Sequence, residues 1–247
     1  MPIRWKSIVA YDGTGFNGWQ SQVGGNTIQD IIEQRFEVIL GCPVRVHGSG
    51  RTDSGVHAKG QVFHFDAEWN HPTEHLLRAL QSGIPSSIRV KSVSRAVRDF
   101  HARYSAKGKR YSYRFYEGLA SPFETRYCWS LGNMRLDVAL MNEAASTLLG
   151  EHDFSSFTAN RSDGSNENPV KNLKRLEVKR EGRRMRMTTE AGGYLYKMVR
   201  TLAGALVDVG IGKLKPVDLC VVLEARKRTA LIPTAPAHGL CLERVFY

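Results

Sequence analysis

Apolar and polar residues follow strand-like or helical spacing along most of the chain. In the first half, Ile28, Ile32 and Phe36 recur on one face of a helical repeat, as expected for an amphipathic helix. We assign this half, which mixes strands and helices, to a first α+β subdomain at residues 1–103. The pattern predicts strands at 5–10, 44–47, 61–65 and 88–94, and helices at 27–40 and 73–80.

The second half repeats this rhythm of strands and helices and is assigned to a second subdomain at residues 104–247. Tyr111, Tyr113 and Phe115 alternate with arginine and serine, which predicts a strand with two different faces. The expected fold class is α+β, with two similar subdomains that share a central, mostly antiparallel sheet and leave a cleft between them. Strands are predicted at 109–116, 173–180, 184–189 and 239–247, and helices at 136–149, 195–209 and 216–227.

The charge of the chain suggests a class of partner. The 247 residues include 35 Lys and Arg against 24 Asp and Glu, a net charge of +11. This excess favours a polyanion such as nucleic acid, although a basic solvated surface gives the same number. No apolar run reaches the roughly 20 residues that cross a bilayer, and the N-terminus lacks the apolar stretch of a signal peptide. We therefore expect a cytoplasmic protein that neither spans a membrane nor is exported.

The four cysteines are scattered along the chain and form no CxxC pair. This spacing predicts neither a disulfide framework nor a structural zinc site, and it fits a reducing compartment. Catalysis is then expected from ordinary side chains, a loosely held metal or a diffusible cofactor.

The segment from Gly48 to His57 combines glycines with charged residues and contains the first candidate for chemistry. Asp53 lies between Gly50 and Gly55, so its carboxylate is presented on a tight turn that another backbone can approach closely. A turn aspartate that bonds its own backbone has the same pattern, so this residue alone does not decide between structure and catalysis.

Two further stretches combine charge with apolar character. The predicted strand at 109–116 interleaves tyrosines with lysine and arginine, which suits single-stranded RNA because cations bind phosphate and rings stack on bases. The same pattern also fits a strand with a buried aromatic face. Arg200 falls among apolar residues of the predicted helix at 195–209, where it either closes a structural ion pair or faces a catalytic carboxylate or a phosphate.

Five ordered motifs span nearly the whole chain: YDGTGFNGWQ at 11–20, GRTDSGVHA at 50–58, KRYSY at 109–113, MVR at 198–200 and TAPAHGL at 234–240. Together they resemble the TruA family of tRNA pseudouridine synthases. The resemblance implies the pseudouridine synthase α+β fold and a homodimer. It also implies that the substrates are uridines at positions thirty-eight to forty in the anticodon stem-loop of tRNA, and that no cofactor or metal is used.

The resemblance also assigns roles to individual residues. Asp53 matches the catalytic aspartate of the family, Tyr111 the ring that stacks on the target uracil, and Arg200 the basic partner of the aspartate. Arg51 matches the arginine of the RTD motif, and Leu240 an apolar position near the uracil.

The implied reaction fits ordinary side chains. Conversion of uridine to pseudouridine breaks the N1–C1′ bond and joins C5 to C1′, so it needs no redox agent, phosphate donor or metal. Asp53 would act as an anion, either by covalent addition or by removal of a sugar proton to give a glycal, and the sequence does not separate these routes.

Two other functions are compatible with parts of the pattern. A non-catalytic RNA-binding protein would keep the fold and the basic, aromatic strand, but an anionic Asp53 in a phosphate-binding groove would weaken its binding. A metal-dependent nuclease would use Asp53, His57 and His64, an incomplete set of ligands.

The polar segment at 160–170 is expected to be a mobile loop that closes over a substrate.

Overall fold

The computed structural model describes residues 2–159, 167–228 and 232–247. Within these ranges the chain forms five α-helices: α1 (Ile28–Leu40), α2 (Thr73–Gln81), α3 (Val138–Ser146), α4 (Met198–Gly210) and α5 (Pro216–Glu224). The same ranges contain ten strands: β1 (Ile3–Tyr11), β2 (His47–Gly48), β3 (His57–Ala67), β4 (Ile88–Arg95), β5 (Gly108–Tyr116), β6 (Trp129–Ser130), β7 (Gly150–Asp153), β8 (Val170–Glu181), β9 (Arg184–Ala191) and β10 (Leu240–Phe246). The expected α+β class is confirmed.

The chain divides into two compact units. Unit 1 comprises Met1–Lys107 and Cys241–Tyr247, and unit 2 comprises Gly108–Leu240. The sequence places the last residues in the second subdomain, whereas β10 pairs in parallel with β3 and so joins unit 1. A backbone hydrogen bond of 2.8 Å from Lys107 to Phe246 strengthens this connection.

In unit 1, a mainly antiparallel sheet has the order β4, β1, β3, β10, with β2 beside β3. Helix α1 packs on this sheet, and the rings of Phe36 and Phe65 lie 4.3 Å apart. The helix begins where Thr27 forms a capping box, in which its hydroxyl accepts from the Asp30 amide and the Asp30 carboxylate accepts from the Thr27 amide.

In unit 2, an antiparallel sheet has the order β5, β9, β8, β7, and β6 pairs with β5. The strands predicted at 173–180 and 184–189 are confirmed as β8 and β9, which form a hairpin that turns at Gly182 with a φ of +62°. Helix α4 is the most deeply buried helix of this unit. Among its 13 residues, all of which the structure describes, Arg200 alone is not fully buried.

The predicted strand at 44–47 is wrong, and the reason is local. Val44 and Val46 are buried, so the alternation is real, but only the last residue of that range pairs with β3. Side chains of α1 satisfy the backbone of Val46 instead, because Glu33 accepts from its amide at 2.9 Å and Gln29 donates to its carbonyl at 3.3 Å.

Two predicted helices begin later in the structure than in the sequence pattern. Helix α3 starts after Asp137, whose carboxylate accepts from the amides of Ala139 and Leu140. Helix α4 starts after Lys197, which has a φ of +58° and cannot continue a right-handed helix. No helix in the described ranges is long and apolar enough to span a membrane.

Candidate active site

Asp53 lies in unit 1, on the turn that connects β2 to β3. The residue is half-buried, and its carbonyl accepts from the Val56 amide at 3.1 Å. Gly55 follows with a φ of +76°, a conformation that glycine adopts without strain. At the start of the turn, Gln61 donates to the Gly50 carbonyl at 2.9 Å and accepts from the buried Ser49 hydroxyl at 2.6 Å. The Asp53 turn is therefore fixed at both ends by hydrogen bonds.

A second loop, residues 12–19, packs against the backbone of this turn. The Trp19 amide donates to the Thr52 carbonyl at 3.1 Å, and the hydroxyls of Tyr11 and Thr52 lie 2.9 Å apart. The Ser54 hydroxyl donates to the Phe16 carbonyl at 2.9 Å. These contacts leave the Asp53 carboxylate on a turn whose backbone has little freedom to move.

Two glycines make that packing possible. At Gly13 an added Cβ would lie 2.0 Å from the Val56 carbonyl oxygen, and at Gly18 it would lie 2.5 Å from that of Thr52. Any side chain at either position would push the loop away from the Asp53 turn. The sequence shows these glycines in the first motif, but local spacing gives no sign of what they touch.

His57 and His64 do not join Asp53 in a metal site. The His57 Nδ1 accepts from the Gly13 amide at 3.0 Å, and the His64 Nδ1 accepts from the Ala102 amide at 3.1 Å. Burial, together with the nearby rings of His101 and His47, lowers the pKa of His64 to about 4. Across the described ranges no three His, Cys, Asp or Glu side chains form a group that could hold a metal ion.

Tyr111 lies in unit 2, on the buried face of β5. Its side chain is 8% exposed, and its ring meets that of Tyr194 edge to face, with centroids 5.2 Å apart. The Tyr194 hydroxyl lies 3.1 Å from that of Thr189 on β9, which fixes the second ring. The orientation of the Tyr111 ring is therefore set by the neighbouring strand and by the segment before α4.

Tyr113, two residues further along β5, has a structural role. Its phenol donates to the Pro236 carbonyl at 2.8 Å, and burial raises its pKa. An added Cβ at Gly239 would lie 2.5 Å from the Tyr113 ring. The charge of Arg200 also acts on this phenol, in the direction that lowers its pKa. The structure thus brings Tyr113, Arg200 and the segment at 235–239 together within unit 2.

Arg200 lies in the first turn of α4 and is half-buried. Its Nε donates to the Ala235 carbonyl at 2.8 Å, and the Ala235 amide donates back to the Arg200 carbonyl at 3.0 Å. An added Cβ at Gly204 would lie 2.2 Å from the Pro233 carbonyl oxygen, so α4 and this segment are in close contact. One edge of the guanidinium is therefore used to fix its own orientation.

The two remaining predicted residues are placed as follows. Leu240 is buried at the start of β10, and Arg51 is exposed at the start of the Asp53 turn. Asp53 and Arg51 belong to unit 1, whereas Tyr111, Arg200 and Leu240 belong to unit 2. Of the predicted mobile loop, residues 160–166 lie outside the described ranges.

Comparison with known proteins shows which family has this sequence. A family model described as tRNA pseudouridine synthase matches residues 8–105 and 144–247. The tRNA pseudouridine synthase A of Geobacillus kaustophilus is 41% identical over 100% of this chain and 95% of its own. The corresponding proteins of Paramagnetospirillum magneticum and Bacillus subtilis are 42% and 41% identical over 99% of this chain, and over 95% and 99% of their own. These relatives also cover the β5 segment with Tyr111, which lies outside the family-model match. The chain therefore belongs to the tRNA pseudouridine synthase family.

Proposed function

We propose that the protein isomerises uridine to pseudouridine at positions thirty-eight to forty in the anticodon stem-loop of tRNA. Family membership and the full-length similarity to proteins named tRNA pseudouridine synthase A support the reaction and the class of RNA. The observation that carries the proposal is the Asp53 turn, which two glycine-dependent contacts and several backbone hydrogen bonds hold in place.

In this proposal Asp53 is the catalytic carboxylate and Arg200 is its basic partner, which stabilises the anion. Tyr111 stacks on the target uracil, and Arg51 and Leu240 complete the contacts with the substrate. The fixed ring of Tyr111 and the oriented guanidinium of Arg200 support these roles, since both side chains are held before any substrate binds.

The reaction is balanced without an added reagent. The N1–C1′ bond breaks, the uracil turns, and C5 forms a new bond to C1′. The proton on C5 leaves to solvent and N1 takes up a proton, so there is no net oxidation or reduction. Asp53 acts as an anion either by adding covalently or by removing a sugar proton. Both routes depend on one carboxylate in a fixed position.

The target base must leave its stack before it reaches Asp53. Base flipping costs a few kcal/mol, and stacking on an aromatic ring returns about 1–3 kcal/mol per base. Tyr111 provides such a ring, and the net charge of +11 supports binding of the phosphate backbone.

The test is release of tritium from a tRNA transcript labelled at uracil C5, with and without a chelator. We expect release by the parent protein in both conditions and none by Asp53→Asn. Asp66→Asn is the matched control, because it makes the same change to a surface carboxylate that pairs with Arg4. Release by Asp53→Asn at the parent rate would contradict the role of Asp53.

A second outcome separates catalysis from binding. If the parent protein releases no tritium but binds tRNA in a salt-sensitive way, and Asp53→Asn binds at least as tightly, the protein is a non-catalytic RNA-binding module. We also propose that the protein is a cytoplasmic homodimer, which the family resemblance supports. Light scattering of the purified protein tests the dimer.

A further inference from the structure

Three cations lie in a row across the sheet of unit 2. Arg114 on β5 is directly opposite Arg186 on β9, which is directly opposite Lys179 on β8. Residues opposite each other in antiparallel strands point to the same face, with Cβ atoms about 4.5–5.5 Å apart. All three side chains line one cavity of about 260 Å³. We call these three residues the basic row.

Other arginines on the same sheet are paired with carboxylates. Arg110 and Arg175 both bind the Glu190 carboxylate, at 2.8 and 3.1 Å. Arg184, which lines the same cavity as the basic row, donates to Glu124 at 2.9 Å. The sheet therefore normally pairs an arginine with a carboxylate.

The basic row departs from that pattern. Within the described ranges, the guanidinium groups of Arg114 and Arg186 make no hydrogen bond or ion pair. The Lys179 amine lies 3.5 Å from Glu177, a carboxylate that Arg175 already binds at 2.6 Å. Like charges directly opposite each other destabilise a sheet, and no ion pair within the described chain offsets this cost for Arg114 and Arg186.

We infer that the basic row binds the phosphodiester backbone of the tRNA substrate. The inference rests on the proposed function, because it takes tRNA as the RNA. Phosphate neutralises adjacent cations and releases counterions, which removes the repulsion and contributes affinity. Phe123, which is 90% exposed, and Tyr127 line the same cavity and give a ribose or a base apolar ring surface to rest on.

A second copy of the chain fits this surface less well. A two-fold interface is formed by the same patch of both subunits, so it would bring a second set of the same cations into the interface. RNA brings the opposite charge instead. The charge of the row therefore favours RNA over self-association.

The test compares Arg186→Gln with Arg175→Gln, measured as binding of a fluorescent, unmodified tRNA transcript over a salt series. Both variants lose one cation from the same sheet, but only Arg186 lacks a carboxylate partner. We expect Arg186→Gln to weaken binding about threefold to tenfold and to reduce the slope of log affinity against log salt by about 0.7–0.9, whereas Arg175→Gln changes either value much less. Arg186→Lys keeps the charge and should keep the slope.

Thermal unfolding gives an independent readout. Because Arg186→Gln removes a like-charge contact, it should melt at or above the temperature of the parent protein while binding tRNA less tightly. Equal loss of affinity in Arg186→Gln and Arg175→Gln would overturn the inference, as would a change of oligomeric state without a change in RNA affinity. Tritium release by the parent protein tests the proposed function separately, so the two failures are distinguishable.

Discussion

Gly18 and Thr52 approach so closely that a Cβ at Gly18 would lie 2.5 Å from the Thr52 carbonyl oxygen. Thr52 precedes Asp53, so this contact positions the backbone that carries the candidate catalytic carboxylate. Gly18 has a φ of +84°, close to the +82° of Gly15 three residues earlier, yet nothing lies within 4 Å of the Cβ position at Gly15. The two glycines share a positive φ and differ in what surrounds them.

Alanine substitutions at these two glycines therefore separate the effect of backbone strain from the effect of displacing the Asp53 turn. Gly15→Ala should lower the free energy of unfolding by about 1–2 kcal/mol, the cost of a left-handed conformation, and leave turnover nearly unchanged. Gly18→Ala adds a clash that moves the Asp53 turn, and a displacement near 1 Å costs about 100-fold in rate. Tritium release and thermal melts of both variants check this. Equal turnover in the two would show that the Gly18 contact does not position Asp53.

Tyr111 and Tyr113 offer a matched pair of phenols on one strand face. Tyr111→Phe should bind tRNA normally but release the C5 proton about tenfold more slowly, because the stacking ring remains and the hydroxyl is lost. Tyr113→Phe should turn over normally and lose about 1 kcal/mol of stability, since the Pro236 carbonyl loses its donor. Unchanged turnover by Tyr111→Phe would remove its hydroxyl from the mechanism.

Arg200→Lys should be a poor enzyme even though the charge is kept. An ammonium cannot bind the Ala235 carbonyl through one edge and present a planar fork through the other. We expect kcat/KM to fall about 100-fold. Arg180→Lys is the control, because Arg180 binds Glu117 and its replacement should affect melting and leave turnover intact. Parent-like turnover by Arg200→Lys would contradict a role for the guanidinium.

Glu117 should make unit 2 sensitive to strong acid. Hydrogen bonds from the Arg180 guanidinium, with the Leu136 amide, lower the pKa of this buried carboxyl from 4.5 to about 2. Its contribution of about 3 kcal/mol is present above pH 4.5 and is lost as the pH falls through about 2. Glu117→Gln should therefore unfold more easily at neutral pH, and its deficit should shrink across that window in denaturant titrations. Glu181→Gln, on an exposed carboxylate of β8, should show no such dependence.

His64 should give unit 1 a different acid response. Its pKa of about 4 keeps the ring neutral in the folded protein, whereas the unfolded chain takes up the proton below 6.5. Stability should fall between pH 6.5 and 4, by up to about 3 kcal/mol. His64→Asn keeps an acceptor for the Ala102 amide and should flatten melting temperature against pH in this window. His75→Asn, on the exposed side of α2, should leave the slope unchanged.

Local periodicity predicted the long strands β5, β8 and β9, whose backbones pair with a neighbouring strand over most of their length. The rings at 111, 113 and 115 face the core as their alternation indicates, and the hairpin turns at Gly182. Periodicity failed at 44–47 because α1 side chains, and not a neighbouring strand, bind the backbone of Val46. Alternating apolar residues look the same in β5 and at 44–47. The alternation shows which side chains are buried, but it does not show which groups bind the backbone.

The sequence names the candidate residues of the site but not the contacts that support them. Asp53 and Arg200 stand out by residue type and surroundings, and the motifs assign them roles. The Gly18 contact with Thr52 and the Ala235 hydrogen bond of Arg200 join segments more than 30 residues apart. Spacing along one sequence contains no information on such contacts, because they depend on how the loops close.

Because β10 pairs with β3, the sheet of unit 1 can form in full only after unit 2 has been synthesised. The residues at 241–247 leave the ribosome after all of unit 2, yet the Tyr247 hydroxyl donates to the Ala102 carbonyl at 2.7 Å, and the centre of its ring lies 4.0 Å from the Lys6 amine. A nascent chain that carries only the first 107 residues therefore has β3 without its partner on that edge. Unit 2, a continuous stretch of chain, emerges in full before the N-terminal unit receives its last strand.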